Sequence, residues 1–298
     1  MSKVYEYVQQ SIIKRIEEAI EKSEKLPWQK PWNGKRHVNY VTRHQYRGIN
    51  LLLLPEADEY ITFRQIQDLQ KKNPEIRLKK GSKSHMVVYW SFNNKRKKKK
   101  IDENTGEEVV VDVLEYYEAP IFRYYNVFSI NDVEGLETKF SGMDYEHNGV
   151  DEAEKLIVDY KKELDILINH GQDRAYYSIS GDYISIPDKS QFDNVSEFYS
   201  TTFHEMVHST GHPKRLKRFK EGEFYKFGSE SYSEEELVAE IGANILMGEL
   251  GIYDESAFNN SIAYMQGWLQ AIKNDVRFIT IAAQRAQKAT DYILGKKY

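Results

Sequence analysis

The sequence has 298 residues, of which 40% are hydrophobic and 30% charged, with 7 prolines and 17 glycines. This length corresponds to about two domains, and the composition excludes collagen-like, mucin-like and wholly disordered chains. Cysteine is absent from the sequence, so disulfides and thiolate metal sites are excluded and a metal would need histidine or carboxylate ligands. No apolar run is long enough to span a membrane, and the first 25 residues lack a signal-peptide core. We therefore expect a cytoplasmic protein with no membrane partner.

The net charge of -4 conceals an asymmetry along the chain. Residues 1–130 contain 24 Lys and Arg against 17 Asp and Glu, whereas the remainder contains 18 against 29. A basic part joined to an acidic part is typical of a two-domain protein in which one domain binds a polyanion. However, six of the cations form the run Lys95–Lys100, which is predicted to lie in a mobile hairpin tip that continues to Gly106. Charge alone therefore does not establish nucleic-acid binding.

The first part of the chain alternates helical and strand patterns. Apolar residues at helical spacing predict a helix over Tyr5–Lys22, and a second helix is predicted over Phe63–Lys72. β-Branched and aromatic residues predict three strands, Met86–Phe92, Val109–Tyr117 and Pro120–Ile130. These elements predict an α+β first domain.

The segment Asn131–Val150 has weak apolar patterning, several glycines and several acidic residues, which is typical of a domain boundary. We expect a first domain over residues 1–135, a linker over 136–150 and a second domain over 151–298. The second domain is predicted to begin with a helix over Asp151–Asn169. A hairpin follows, with strands Tyr176–Ile179 and Tyr183–Pro187, and everything from Glu197 onward is helical in pattern. The predicted fold class is α+β, with a mostly helical second domain that contains a small β-hairpin or sheet.

The second domain contains the pattern H-E-x-x-H at His204, Glu205 and His208. Four residues are about one helical turn, so both imidazoles project from one face and can share one Zn²⁺. Glu205 can then act as general base and take a proton from a water that zinc has made acidic. The alternative for the bare pattern is a helix with two surface histidines. An upstream hairpin with a free edge and a glycine after the motif, Gly211, make this region similar to the zincin metallopeptidases.

The third zinc ligand is predicted on a following helix, as in gluzincins. Glu236 and Glu240 lie four residues apart on one helical face, where two carboxylates repel each other unless a cation or histidine separates them. We expect Glu236 to be the ligand and Glu240 to hold the outer nitrogen of a zinc-bound histidine. The alternative is that Ser233 and Glu236 form a helix capping box, which would leave Glu240 as the ligand.

Aromatic and basic residues are interleaved in the first domain, as in proteins that bind single-stranded nucleic acid by stacking bases and pairing phosphates. The candidate contacts are Trp28, Trp32, Asn39, Arg43, Tyr46, Arg47, Asn50, Lys80 and Lys83. The alternatives are that the tryptophans are core residues and that the basic cluster around Lys80 is an ordinary turn.

The motifs Pro27-Trp28, Tyr46-Arg47-Gly48-Ile49-Asn50 and Lys80-Gly81-Ser82-Lys83, together with Phe203–Pro213 and Glu235–Glu240, resemble the ArdC family of antirestriction proteins. The resemblance covers nearly the whole chain. It implies an N-terminal domain that binds single-stranded DNA and a C-terminal zincin-like metallopeptidase domain. It also implies a protein of a mobile element that protects incoming single-stranded DNA during conjugation. The Lys95–Lys100 run departs from the family pattern.

Three functional hypotheses follow. In the first, the chain binds single-stranded DNA and hydrolyses peptide bonds of an unknown protein substrate, using Zn²⁺ held by His204, His208 and Glu236. In the second, it only coats DNA, and its zinc site is vestigial or is structural with His212 as a fourth protein ligand. In the third, it is a protease whose DNA-binding domain provides localisation.

Overall fold

The computed structural model describes residues 3–22, 26–27, 37–55, 59–101, 108–139, 149–219, 230–252 and 262–296. These residues form a mixed α+β fold. The helices are α1 (Lys3–Lys22), α2 (Ile49–Leu53), α3 (Phe63–Gln70), α4 (Gly149–Leu164), α5 (Val195–Thr210), α6 (Glu230–Glu249), α7 (Ile262–Asn274) and α8 (Phe278–Ile293). The strands are β1 (Val38–Asn39), β2 (Glu59–Ile61), β3 (Arg77–Leu78), β4 (His85–Ile101), β5 (Glu108–Ser129), β6 (Val133–Glu134), β7 (Leu167–Asn169), β8 (Tyr176–Ser178) and β9 (Tyr183–Ser185).

The first half is built around a four-stranded sheet of order β1-β2-β5-β4. The strands β4 and β5 form a long antiparallel hairpin, β5 pairs antiparallel with β2, and β2 pairs parallel with β1. A separate antiparallel pair joins β3 to β6. Within the described chain β4 is an edge strand of the larger sheet, and at Val88 the side chain of Asn50 bonds the backbone groups of this edge.

The hairpin is longer than the sequence predicts. The predicted strands Val109–Tyr117 and Pro120–Ile130 form the single strand β5. Pro120 does not interrupt it, because it lies where the β4–β5 register shifts. At such a bulge a proline does not have to donate a hydrogen bond to the neighbouring strand. The prediction that Lys95–Lys100 lie in the hairpin tip is also wrong, while the part of the predicted tip over residues 102–106 lies outside the described residues. Lys95–Lys100 continue β4 and pair with Val109–Leu114, a valine-rich segment suited to a strand.

The second half begins with α4, which ends five residues before the predicted limit of Asn169. Asp165 has a φ of 50°, a left-handed conformation that stops the helix. The next residues form β7, in which Ile168 is buried and Leu167 is exposed, the alternation expected of a strand. The expected hairpin is present as β8–β9, and β7 pairs parallel with β9, which gives a small sheet of order β7-β9-β8.

One hydrophobic core extends across both halves of the chain. Helix α6 packs between α5 and α8, and α1 from the first half packs against α7 and α8. Val8, Ile12 and Ile16 form the buried stripe of α1, and they belong to the same cluster as Val207 of α5 and Ala283 of α8. A smaller cluster that includes Ile66 lies entirely within the first half. The two halves therefore share buried surface.

None of the helices in the described residues combines the length with the apolar content that a membrane-spanning helix requires.

Candidate metal centre and nucleic-acid interface

The two histidines of the motif project from the last turns of α5. Asn194 begins this helix by accepting a hydrogen bond from the Glu197 backbone N–H, and the helix ends at Thr210. The spacing of four residues brings the Nε2 atoms of His204 and His208 to 3.0 Å from each other. Both imidazoles thus face the same point in space.

Helix α6 brings a carboxylate to that point. Glu236 Oε2 lies 3.5 Å from His204 Nε2, and Glu236 Oε1 lies 3.5 Å from His208 Nε2. Because α6 already begins at Glu230, Ser233 lies inside the helix and does not cap it, so the capping-box alternative for Glu236 is not formed.

The geometry of these three groups fits a metal ion. A tetrahedral zinc ion with ligand bonds of about 2.0–2.1 Å separates its ligand atoms by about 3.3–3.4 Å. The two Nε2 atoms are 3.0 Å apart, and each lies 3.5 Å from a different oxygen of Glu236, distances close to this value. Among the described residues, His204, His208 and Glu236 form the group whose ligand atoms lie close enough to hold an ion. Two imidazoles and one carboxylate are a donor set that zinc accepts.

A second carboxylate holds His208 from its outer side. Glu235 Oε1 lies 3.2 Å from His208 Nδ1, and Arg218 donates hydrogen bonds to both oxygens of Glu235, at 2.9 and 2.7 Å. Burial favours the neutral acid, but Arg218 and His208 outweigh it and hold the pKa of Glu235 below its ordinary value. The ionised carboxylate can only accept, so His208 donates from Nδ1, and release of the Nε2 proton would leave a lone pair directed at the metal position.

The electrostatics of the centre favour a cation. Burial lowers the pKa of His208, but hydrogen bonds to Glu235 and Glu236 outweigh it and raise the pKa to about 10. Burial raises the pKa of Glu236, but the two imidazoles outweigh it and hold this pKa well below the ordinary range. Buried carboxylates that draw protons onto adjacent imidazoles mark a site of negative potential.

The other motif residues lie around the same cavity. Glu205 is 7% exposed and lines a cavity of about 390 Å³ together with the three candidate ligands, Tyr177 of β8 and Tyr232 of α6. Glu240 Oε1 lies 3.9 Å from His204 Nδ1, on the outer side of that ring but beyond hydrogen-bond length. His212 is not part of the ligand group, and its Nδ1 lies 3.7 Å from Asp182 Oδ2.

The predicted DNA contacts divide into two groups. Three of them point into the protein. Asn39 is 6% exposed and exchanges hydrogen bonds with Gln65, Tyr46 is buried with its ring 6.0 Å from that of Tyr60, and Asn50 bonds both backbone groups of Val88. A base could reach these side chains only if their internal contacts were broken.

The cationic candidates are more accessible. Arg43 pairs with the buried Glu59, and Arg47 pairs with Asp291 of α8, yet both guanidinium groups remain partly exposed. Lys80 and Lys83 are exposed on the loop between β3 and β4. Trp28 and Trp32 lie outside the described residues, so their role stays a prediction from sequence.

The structure also reveals an aromatic surface that the sequence pattern did not predict. We call it the tyrosine face: Tyr89, Tyr117, Arg123 and Tyr125 on one side of β4–β5. The rings of Tyr89 and Tyr125 lie 5.7 Å apart, and the Arg123 guanidinium lies 5.5 Å from the centre of the Tyr117 ring. The available signal was the high tyrosine content of these strands, but aromatic strand residues are more often core. Here Tyr89 is 42% exposed.

Two family models match the two halves of the chain separately, and relatives match it along almost its whole length. Residues 2–128 match the family model described as the N-terminal domain of anti-restriction factor ArdC, and residues 151–285 match that of a zincin-like metallopeptidase. Two Escherichia coli proteins named DNA primase TraC are 32% and 30% identical over 99% and 98% of this chain. The chain spans only 28% and 20% of their lengths. The uncharacterized protein y4eC of Sinorhizobium fredii (strain NBRC 101917 / NGR234) is 29% identical over 97% of this chain and 91% of its own length.

Two crystal structures share the whole architecture. They are the metal-free and Mn(II)-bound forms of the antirestriction ArdC protein from plasmid R388, with TM-scores of 0.70 and 0.71. The sequence identities are 31% and 29%, over 99% and 98% of this chain and 98% and 97% of theirs. Since the 31% identity extends along both chains almost completely, this protein belongs to the ArdC family of antirestriction proteins and carries a zincin-like domain.

Proposed function

We propose that this antirestriction protein binds single-stranded DNA through its first half and hydrolyses peptide bonds at a zinc site in its second half, and so protects incoming DNA during conjugation. The observation that carries the proposal is the convergence of His204, His208 and Glu236, with Glu205 lining the same cavity. The Mn(II)-bound form of the R388 protein supports a divalent cation in this family. Nitrogen and carboxylate ligands at tetrahedral spacing favour zinc.

The residues around the cavity have distinct tasks in this reaction. His204, His208 and Glu236 would hold the ion, which supplies Lewis acidity toward the attacking water and the scissile carbonyl. Glu205 takes a proton from the attacking water and delivers it to the leaving nitrogen. Glu235 holds His208 in the orientation that ligation needs.

The peptide has a suitable place to bind beside these groups. Strand β8 pairs with β9 alone within the described residues, which makes it an edge of the small sheet, and its residues Tyr176 and Tyr177 line the cavity. An extended peptide can add to such an edge through main-chain hydrogen bonds.

The same geometry argues against a purely structural zinc site. A structural site is closed by four protein ligands, whereas a catalytic site keeps one position for water. The described residues supply three ligands, and His212, the nearby candidate for a fourth, lies against Asp182. We therefore favour peptide hydrolysis over the interpretation that the chain only coats DNA.

The peptidase proposal is tested with two variants of the full chain. Glu205→Gln should retain about one equivalent of zinc but lose cleavage of a peptide library analysed by mass spectrometry, because the general base is absent. His204→Ala should lose the metal itself. Wild-type protein that binds zinc but cleaves no peptide, or Glu205→Gln that cleaves at the wild-type rate, would overturn the peptidase proposal.

The DNA proposal rests on the tyrosine face and on the exposed lysines of the β3–β4 loop. Tyrosine rings stack on bases without regard to sequence, while lysines pair with phosphates. The DNA is thus expected to lie along β4 and β5, with its backbone toward Lys80 and Lys83.

Fluorescence anisotropy of a labelled single-stranded oligonucleotide, titrated with the full chain, tests this interface. Tyr89→Ala should weaken binding by about 5- to 100-fold, the effect of losing one stacked base. Replacing both Lys80 and Lys83 with Ala should make the slope of log K against log salt shallower by about 1.4. The control Lys161→Ala changes an exposed lysine on α4 and should leave the slope unchanged. Wild-type protein that does not bind would refute the DNA proposal.

A further inference from the structure

A cleft of about 240 Å³ lies between the two halves of the chain, beside the segment of β4 whose edge is bonded by Asn50. Its walls come from the segment Arg47–Asn50, from β4 and β5, and from one face of α8. The α8 residues Thr280, Gln284 and Lys288 recur every four positions, so they line the cleft as a single stripe. The cleft is separate from the metal centre, with which it shares no lining residue.

One atom in this cleft has an unmet hydrogen-bonding need. Thr280 is only 6% exposed, and its hydroxyl has no hydrogen-bond partner among the described residues. Leaving a buried polar group unpaired costs stability, and proteins seldom tolerate it without a reason. A bound ligand that hydrogen-bonds to this hydroxyl would supply the missing partner.

The lining of the cleft suits a nucleobase. Val88, Phe122 and Trp90 provide apolar and aromatic surface: the Trp90 ring packs 4.8 Å from that of Phe122, and Trp90 as a whole is still 38% exposed, so a base could extend this aromatic stack. The side-chain amide of Gln284 is exposed on α8 and has no hydrogen-bond partner among the described residues, so it can donate to and accept from the edge of a base. The cleft is smaller than the pockets that hold drug-sized ligands, which favours a single base over a larger molecule.

The position of the cleft connects it with the tyrosine face. Tyr89 belongs to both: its ring packs beside that of Tyr125, and it lines the cleft at the edge of β4. Cations lie at the mouth, because Lys288 is exposed and the Arg47 guanidinium, although paired with Asp291, is 45% exposed. Successive side chains alternate between the two faces of a sheet, so Trp90 and Phe122 line the cleft from the face opposite to Tyr89 and Arg123. A strand that stacks on the tyrosine face would therefore reach this mouth by crossing the edge of β4 at Tyr89, with its phosphates near positive charge.

We propose that this cleft binds one unstacked base of single-stranded DNA, so that α8 of the zincin-like half forms part of the DNA site. This inference rests on the proposed DNA binding and extends it to the second half of the chain. The occupied cleft holds the base between Trp90 and α8, with Thr280 and Gln284 bonded to its edge. The bound base then contacts both halves of the chain.

The test compares two oligonucleotides of equal length, one with normal bases and one with abasic sugars, so that the phosphates are the same. The protein is the full chain with Gln284→Glu, which places a negative charge and an acceptor-only group in the cleft. Gln172→Glu is the matched control, since it makes the same change on an exposed loop of the second half. We expect Gln284→Glu to weaken binding of the normal oligonucleotide at least fivefold relative to Gln172→Glu, and binding of the abasic one by less than twofold.

Thr280→Val supplies an independent readout, because valine has the shape of threonine without the hydroxyl. Removing an unpaired buried hydroxyl should raise the melting temperature of the free protein by about 1–3 °C. The same change should weaken binding of the normal oligonucleotide and leave the abasic one unaffected. A substitution that stabilises the free protein but weakens DNA binding indicates that the Thr280 hydroxyl contributes to ligand binding and not to folding.

The outcomes distinguish the two proposals. If wild-type protein binds neither oligonucleotide, the DNA proposal fails and this inference fails with it. If wild-type protein binds the normal oligonucleotide while Gln284→Glu matches Gln172→Glu and Thr280→Val matches wild type, the cleft inference alone is refuted. Equal weakening of both oligonucleotides by Gln284→Glu would also refute it, since only phosphate contacts would then be affected.

Discussion

At the scale of single residues, the contact between Glu235 and His208 predicts a role in metal affinity. Replacing Glu235 with Gln keeps the size of the side chain but removes the charge that fixes the His208 tautomer and pairs with Arg218. Loss of such an outer partner typically weakens metal binding about 10- to 100-fold. We expect this loss for Glu235→Gln, measured by competition with a zinc chelator.

The adjacent residue provides the control. Glu234 pairs with Arg285 of α8, away from the metal centre. Glu234→Gln should therefore leave zinc affinity within about twofold of wild type. Equal zinc affinities for the two variants would mean that Glu235 does not position His208.

This run of three glutamates shows what the sequence could and could not predict. The helical spacing of His204 and His208 and a carboxylate on a later helix were both predictable, because they depend on periodicity within single helices. The distinct tasks of Glu234, Glu235 and Glu236 were not. They depend on which neighbour each carboxylate meets as the helix turns about 100° per residue, and those neighbours come from other elements.

A second residue-scale prediction concerns Asp182, which joins the β8–β9 hairpin to the segment after α5. Its carboxylate accepts hydrogen bonds from the Tyr177 hydroxyl at 2.8 Å and from Arg215, whose side chain is 5% exposed. Burial raises the pKa of Asp182, but Arg215 and Tyr177 outweigh it and lower the pKa below its ordinary value. A lowered carboxyl pKa stabilises the fold above the ordinary pKa, and this stabilisation is lost as the pH falls through the lowered value.

Asp182→Asn should accordingly lower the free energy of unfolding by about 2–4 kcal/mol at pH 6, because Arg215 is left buried without its partner. The difference from wild type should shrink progressively below pH 4, as Asp182 becomes protonated in the wild-type protein. Urea unfolding at a series of pH values measures both effects. Asp173→Asn, on an exposed loop, should change stability by less than about 0.5 kcal/mol at any of them. A difference that is constant with pH would contradict the assignment.

At the scale of elements, the metal centre depends on how closely α5 approaches α6. Gly242 permits this approach, since a Cβ at that position would lie 2.8 Å from Val207 Cγ2. Two of the candidate ligands lie on α5 and the third on α6, so the separation of the helices sets the size of the site.

Gly242→Ala should separate these helices, lower the free energy of unfolding by about 1–3 kcal/mol and weaken zinc binding. Gly267→Ala in α7 is the comparison, because a Cβ there meets nothing within 4 Å among the residues that the structure describes. It should stabilise the protein by about 0.5–1 kcal/mol through helix propensity, with unchanged zinc affinity. Thermal unfolding and chelator competition on both variants check the contrast, which would fail if Gly242→Ala bound zinc normally.

The β4–β5 hairpin shows how far element patterns in the sequence could be interpreted. Its aromatic and β-branched residues predicted the strands, and Pro120 suggested a break between two of them. The structure accommodates that proline at a register shift within a single strand. Local pattern identified the type of each element, but the pairing partner determined its length.

At the scale of the whole molecule, the shared core predicts that the two halves unfold together. Ile12 of α1 is fully buried in the cluster that also contains residues of α5, α6, α7 and α8. Ile12→Ala should cost about 2–5 kcal/mol. Hydrogen exchange should then show reduced protection in α8 as well as in β4 and β5, although the substitution lies in the first half.

Ile66→Ala is the matched control, because Ile66 is equally buried but belongs to the cluster confined to the first half. Its substitution should reduce protection around α3 and β6 and leave α8 largely unchanged. If Ile12→Ala also spared α8, the two halves would be independent folding units.

The core shared by the two halves could not be predicted from the sequence. The boundary near residues 136–150 and the separate family matches of the two halves both describe the chain as two consecutive modules. Contacts such as Arg47 with Asp291 join residues 244 positions apart, and no local pattern reveals them. Helix amphipathicity predicted that one face of α1 is buried, but not that its partners are α7 and α8.

The packing of α1 against α7 and α8 has a consequence for how such proteins can be recombined. A crossover in the segment between the halves would join an α1 from one parent to the α7 and α8 of another. In the hybrid, the buried surfaces of α1 and of α7 and α8 would come from different parents and would not be matched to each other. Arg47 could also lack its ion-pair partner Asp291. Exchange of one half between relatives is therefore expected to give a folded protein when α1 and Arg47 come from the same parent as α7, α8 and Asp291. When they come from different parents, misfolded hybrids are expected.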